Sequence, residues 1–164
     1  MKLKKEPDDK KKNQRKNRSL EYSLWLLGRR AYTEKQIRDK LESKKFEPEE
    51  IENTLRRLLD LKFVDDFEFA RSFVRQAKLG RPKGAYRIKF ELKQKGLKKE
   101  LIECALADEN FEENEAKLVE SALKLYLPKI KNLSREKQYR RTMAYLLCRG
   151  FSYNEAKKAL SSHI

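Results

Sequence analysis

The chain has 164 residues, 41% charged and 38% hydrophobic, with 41 Lys and Arg against 26 Asp and Glu for a formal net charge of +15. That length suits one domain or several small units, and the excess of cations predicts a polyanionic or strongly acidic partner. The start lacks a secretory apolar core, no run approaches the roughly 20 apolar residues of a membrane span, and two cysteines with one histidine write neither a disulfide framework nor a zinc site; a soluble cytoplasmic chain without metal or cofactor is expected.

Residues 1–18, "MKLKKEPDDKKKNQRKNR", carry nine Lys and Arg against three acids and show no apolar periodicity. Such a segment does not repay its ordering entropy, so a disordered basic tail is expected there. Its role stays open between a solubility tail and a tether for phosphates or acidic surfaces.

From Ser19 the pattern turns helical. Leu20, Leu24 and Leu27 recur at helical spacing and predict a first helix. "TEKQ" (Thr33 to Gln36) has the capping-box spacing and opens a second helix through Ile37 and Leu41. Pro48 after Glu47 suits the first position of a third helix, which carries Ile51 and Leu55. The turn between them is "KKF", where Lys45 must serve without the freedom of a glycine, so a strained or differently shaped turn is expected.

The stretch "IRDKLESKKFEPEEIENTL" then recurs as "IKFELKQKGLKKELIECAL", with an offset of 51 that places Ile88, Leu92, Leu97, Ile102 and Leu106 on Ile37, Leu41, Phe46, Ile51 and Leu55. Gly96 in "KGL" supplies the left-handed residue that ends a helix. Ahead of this copy, Asp65 and Asp66 are natural N-cap residues for a helix that turns Phe69, Ala70, Phe73, Val74 and Ala77 inward. Arg71, Arg75 and Lys78, at i, i+4 and i+7, then form one outward stripe. "GRPKGAYR" breaks that helix with Gly80, Pro82 and Gly84, and the resulting loop, expected to be mobile, adds Arg81, Lys83 and Arg87.

Residues 71–99 hold eleven Lys and Arg against one acid, a self-repelling density that argues for a binding surface rather than a solvated face. The candidate partner-binding residues are Arg71, Arg75, Lys78, Arg81, Lys83, Arg87, Lys93 and Lys95. Tyr86 sits among them, either to stack on a base or to pack on its own helix.

Charge reverses over residues 100–120, with one Lys against eight acids, and returns over 121–164, with ten Lys and Arg against two. The acidic "DENFEENE" is open to two readings: a solvated linker, or acids folded back on the basic stripe until a partner displaces them. Ala116, Val119, Leu123 and Leu127 predict a helix, and a further offset of 54 places Thr142, Leu146, Phe151, Ala156 and Leu160 in the columns of the two earlier copies. "RGF" repeats the turn with Gly150, and "SYNE" (Ser152 to Glu155) repeats the capping-box spacing.

Units this small bury too little apolar surface alone, so neighbours should share a core. The expected architecture is all-α: an elongated, curved array of three tandem three-helix repeats over 19–64, 65–108 and, with an acidic linker, 109–164, and a monomer. Catalysis is not expected. The five glycines form no phosphate-cradling loop, the single histidine is His163 near the end, and Cys148 has no activating partner nearby in sequence.

Several of these segments resemble the RecX family, regulators of the bacterial recombinase RecA. "LGRRAYTEKQIRDKL", "VDDFEFARSFVRQ" with "KGAYRIKFELKQKG", and "RGFSYNEAKKAL" carry the resemblance, which covers the chain from about Ser19 onward. The family's "DD…FA" signature falls on Asp65, Asp66, Phe69 and Ala70, and "KG…EL…KG" on Lys83, Gly84, Glu91, Leu92, Lys95 and Gly96. The resemblance implies three tandem three-helix repeats and a non-enzymatic protein. It implies binding to RecA and to its filament on single-stranded DNA, with lowered ATPase, co-protease and strand-exchange activity in recombination, DNA repair and the SOS response. Weak direct DNA binding is a secondary expectation. A stand-alone basic helical nucleic-acid-binding module is the competing reading, and a scaffold for an acidic protein or an RNA a third. Lys45 departs from the glycine frequent in the first repeat, and the family pattern is silent on residues before Ser19.

Overall fold

The computed structural model describes residues 8 to 163, with side chains from Arg18 onward. The helices are α1 (Asp8–Leu27), α2 (Glu34–Ser43), α3 (Pro48–Asp60), α4 (Asp66–Ala77), α5 (Ala85–Gln94), α6 (Lys99–Asp108), α7 (Phe111–Tyr126), α8 (Arg135–Cys148) and α9 (Tyr153–His163). A single 3-10 turn, Leu127–Lys129, follows α7. Among the described residues there is no strand, so the protein is all-α, and none of its helices is long and apolar enough to cross a membrane. The chain forms two compact units, one through Phe69 and one from Ala70 onward.

In the first unit, α1 begins at Asp8, so the backbone of 8–18 is helical where a disordered tail was expected; residues 1–7 lie outside the described residues. Lys, Arg and Gln are good helix formers, and extending an existing helix avoids the cost of nucleating one. The buried face of α1 also differs from the one its leucines suggest. Ser19, Ser23 and Leu26 are buried, whereas Leu24 is 36% exposed and Leu20 and Leu27 are only partly covered at the core's edge. The small serines bring α1 close to α3, and their hydroxyls are satisfied: Ser19 Oγ lies 2.8 Å from Thr54 Oγ1, and Ser23 Oγ donates to the Ser19 carbonyl at 2.8 Å.

Around that contact Leu26, Tyr32, Ile37, Leu41, Ile51, Leu55, Leu58 and Val64 form the core. Full burial of each large aliphatic side chain contributes about 1.5–3 kcal/mol. The capping box appears as read, with the Thr33 hydroxyl accepting from Gln36 N–H and the Gln36 side chain accepting from Thr33 N–H. Pro48 stands in the first turn of α3. Asp65 and Asp66 divide their labour. Asp65 Oδ1 caps its own helix, accepting from Phe67 and Glu68 N–H, while Asp66 Oδ1 accepts from Glu34 N–H at the start of α2.

The three aligned turns share one hydrogen-bond pattern. Phe46, Leu97 and Phe151 each donate back to Leu41, Leu92 and Leu146, and the preceding Lys45, Gly96 and Gly150 each donate to a carbonyl three residues earlier. All three turn residues have positive φ: 59° at Lys45, 93° at Gly96 and 87° at Gly150. The first turn therefore keeps the glycine geometry and is strained, because a side chain in that conformation costs about 1–2 kcal/mol.

In the second unit, α5 packs on α6 and α7, and α7 on α8 and α9. Ile88, Leu92, Leu97, Ile102, Leu106, Leu146, Phe151 and Leu160 are buried, as the aligned columns predict. Only the first half of the second capping box forms, with Ser152 Oγ accepting from Glu155 N–H at 3.2 Å. Cys104 on α6 and Cys148 at the end of α8 are exposed free thiols.

Candidate interaction surface

Arg71, Arg75 and Lys78 do share the outer side of α4, but that side meets the end of α6. Arg71 Nε lies 2.6 Å from Asp108 Oδ2 and 3.7 Å from Glu109 Oε1. Arg75 Nη1 donates to Glu109 Oε1 at 2.8 Å, and Lys78 Nζ lies 3.5 Å from Glu109 Oε2 and donates to the Glu109 carbonyl at 2.5 Å. Asn110, with φ of 47°, reverses the chain into α7 and leaves the Glu109 side chain only 12% exposed. Cations here also suit the negative end of the α6 dipole. Of the two readings of the acidic segment, the folded-back one holds for Asp108 and Glu109.

The loop after α4, expected to be mobile, is tied down by hydrogen bonds. Lys83 N–H donates to the Ala77 carbonyl, and the Arg149 guanidinium donates to the Pro82 carbonyl from Nε at 3.0 Å and Nη2 at 2.8 Å, and to the Arg81 carbonyl. Gly84 N–H donates to the Arg149 carbonyl at 3.0 Å and Tyr86 N–H to the Gly150 carbonyl at 3.1 Å. The turn that ends α8 thus satisfies the free N–H groups at the start of α5. The approach is possible because both residues are glycines: a Cβ on Gly84 would lie 2.2 Å from the Gly150 oxygen, and one on Gly150 2.3 Å from Arg87 N.

Lys83 and Arg87 converge on one carboxylate, each 2.6 Å from an oxygen of Glu91. Burial pushes the Glu91 carboxyl up, but the hydrogen bonds from Lys83 and Arg87 outweigh it and hold the group below the usual carboxylate range. The ammonium groups of Lys83 and Lys95 also lie over the Phe73 ring, 5.2 and 5.8 Å from its centroid. Lys89 pairs with Glu103 at 2.9 Å. Nearby, burial pushes the Glu115 carboxyl up, with the Ala85 N–H acting in the opposite direction and Glu155 and Glu112 adding to the rise.

Arg81 and Lys93 are exposed and enter no ion pair among the described residues. On α5 the outward face is aromatic as well as basic. Tyr86 is 68% and Phe90 55% exposed, one helical turn apart, so Tyr86 does not pack down on its helix, and Lys93 continues the same side at i+7. Exposed aromatics flanked by cations suit a protein-contact surface and also a surface on which bases stack. The sequence reading missed Arg149, which lies 67 residues from the carbonyl it holds, while Glu109, 34 residues from Arg75, was within the acidic segment read as able to fold back. For Glu109 a signal was present in the acidic block that directly follows the basic one.

Comparison with known proteins is consistent across sequence and structure. The family model for the first three-helix domain of RecX matches residues 20–58, and that for the second three-helix domain matches residues 65–106. The chain is 33% identical over 153 residues to the regulatory protein RecX of Chlorobium phaeobacteroides (strain BS1), covering 93% of each. A crystal structure of regulatory protein RecX superposes with a TM-score of 0.77 at 25% identity, over 87% of this chain and 70% of that one. That of RecX from Lactobacillus salivarius gives 0.73 at 25% identity, over 92% and 97%. The chain belongs to the RecX family.

Proposed function

We propose that this protein is a non-enzymatic cytoplasmic regulator that binds RecA and its filament on single-stranded DNA and lowers the filament's ATPase, co-protease and strand-exchange activity. Membership in a family whose relatives are named regulatory proteins supports the regulatory role. The observation that carries the contact site is the α5 face, where Tyr86 and Phe90 stand exposed between cations. Burying each aromatic against a protein gains about 1.5–3 kcal/mol and stacking it on a base about 1–3 kcal/mol, so the comparison of RecA-coated with bare DNA decides between the two.

Of the eight candidate cations, we assign direct contact to Arg81 and Lys93, unpaired among the described residues, and to Arg87, which shares Glu91 with Lys83 but is more exposed, on and beside α5. Arg71, Arg75, Lys78 and Lys83 hold Asp108, Glu109 and Glu91, and with Lys95 add to the long-range field that speeds encounter with an acidic filament. A filament repeats one subunit surface along a groove. Tandem repeats then touch neighbouring protomers together and raise affinity through effective concentration without any single strong contact.

The test is binding to RecA-coated and bare single-stranded DNA at one ionic strength, with the Tyr86→Ala/Phe90→Ala variant beside the wild type. Preference for coated DNA, lost in the variant while helicity is retained, is the expected result. Equal affinity for both DNAs would assign the protein to the stand-alone nucleic-acid-binding class instead.

A further inference from the structure

The ion-pair pattern moves the uncompensated positive charge away from the middle of the sequence. Around α4 and α5, Glu109 serves three cations and Glu91 two. From Lys129 to Arg141 there is no such arrangement. Lys129, Lys131, Arg135, Lys137, Arg140 and Arg141 stand against the single acid Glu136. All six are exposed, and none enters an ion pair among the described residues, although Glu136 and Arg140 have the i, i+4 spacing that would permit one.

These charges sit on a rigid base. Thr142, Met143 and Leu146 are buried and fix the inner side of α8, and Ile130 is buried in the turn before it. Gln138 Nε2 donates to the Lys131 and Leu133 carbonyls at 3.2 and 2.8 Å, tying the turn to the helix, and Tyr145 stacks on Tyr126 with centroids 4.1 Å apart. Lys137, Arg140 and Arg141, at i, i+3 and i+4, share one outer side, and that side continues through Ala144 and Cys148. Both are small, so a partner backbone approaches the helix closely. Tyr139 lies off this arc.

We propose that α8, with the turn leading into it, is a surface for nucleic-acid phosphates that reads no sequence and is separate from the α5 face. The arc is dominated by cations and has no aromatic anchor, with Leu147, 43% exposed, the one large aliphatic at its edge, whereas protein interfaces take their energy from clusters of buried aromatic and aliphatic hot spots. Phosphate binding needs no such anchor, because its free energy comes from release of counterions. The surface acts on bare nucleic acid and does not rest on the RecA reading.

Fluorescence anisotropy of a labelled oligothymidine, titrated with the full chain at several salt concentrations, tests it. Arg140→Gln/Arg141→Gln removes two adjacent exposed arginines from α8, and Arg56→Gln/Arg57→Gln does the same on α3, where both are exposed too. The α8 variant should lower the slope of log affinity against log salt by about 1.4, at about 0.7 per phosphate contact on a single strand, and the α3 variant should leave it unchanged. If the double α8 variant loses helicity, Lys137→Gln alone should lower the slope by about 0.7. The proposal is overturned by an unchanged slope in the α8 variants, by an equal change in the α3 variant, by no binding of the wild type at low salt, or by equal affinity for poly-glutamate.

Discussion

Replacing Gly84 with alanine tests how the α5 face is held in place. The backbone there, with φ of −79° and ψ of 167°, is open to any residue, so the effect is purely steric. The added Cβ would lie 2.2 Å from the Gly150 oxygen and 2.3 Å from both Gly150 C and Phe151 N, all main-chain atoms that do not rotate aside. Restoring ordinary contact requires α5 to withdraw by roughly 1 Å. That movement disrupts the bonds from Gly84 and Tyr86 N–H to the Arg149 and Gly150 carbonyls, about 1 kcal/mol each, and weakens the charge-assisted bonds of Arg149 to the Arg81 and Pro82 carbonyls, worth about 1.5–3 kcal/mol. A loss of about 3–5 kcal/mol is expected in urea unfolding followed by helical circular dichroism. Gly80→Ala is the control: at φ of 61° with nothing within 4 Å, it should cost only about 1–2 kcal/mol of left-handed strain. If Gly84→Ala loses no more than Gly80→Ala, the two-glycine junction does not hold the loop.

Lys45→Gly should stabilise the protein by about 0.5–1 kcal/mol, because it relieves a side chain at φ of 59° and returns part of the gain as unfolded-state entropy; a lower urea midpoint would contradict this. Thr142 is fully buried with its hydroxyl unpartnered, in the column where the other copies bury Ile37 and Ile88, so Thr142→Val should raise stability by about 1 kcal/mol. A loss in that variant would mean that the hydroxyl has an acceptor. Burial raises the folded-state pKa of Glu115, so the native state binds its proton more tightly and ionisation at neutral pH destabilises it. Glu115→Gln should therefore raise the melting temperature at pH 7, with the advantage fading as pH falls through the carboxylate range. An advantage that grows on acidification has the wrong sign.

How much of this was legible in the sequence follows from the range of each interaction. The turns at Lys45, Gly96 and Gly150 were readable because their hydrogen bonds span three to five residues and the apolar clasp is adjacent. The core columns were readable for the same reason, since i, i+4 pairs of Ile and Leu declare a face by themselves. The face of α1 was not: Leu20, Leu24 and Leu27 outrank Ser19 and Ser23 on hydrophobicity, and only the Thr54 hydroxyl across the core makes serine the better buried residue. The stripe on α4 was placed correctly on its helix, and the acidic block after it signalled a neutralising partner, but only the fold decides that Asp108 and Glu109 are the acids that reach it. Likewise Arg149 reads as one more cation of a turn until the fold brings the Arg81 and Pro82 carbonyls to it.

The most direct test of the functional account is RecA's ATPase rate on single-stranded DNA as this protein is titrated in, with its affinity for bare DNA recorded in the same buffer. The account predicts inhibition at protein levels well below those needed to cover the DNA, since the filament itself is the target. Inhibition only when the DNA is saturated with the protein, or no inhibition, would contradict it and leave competition for DNA as the activity.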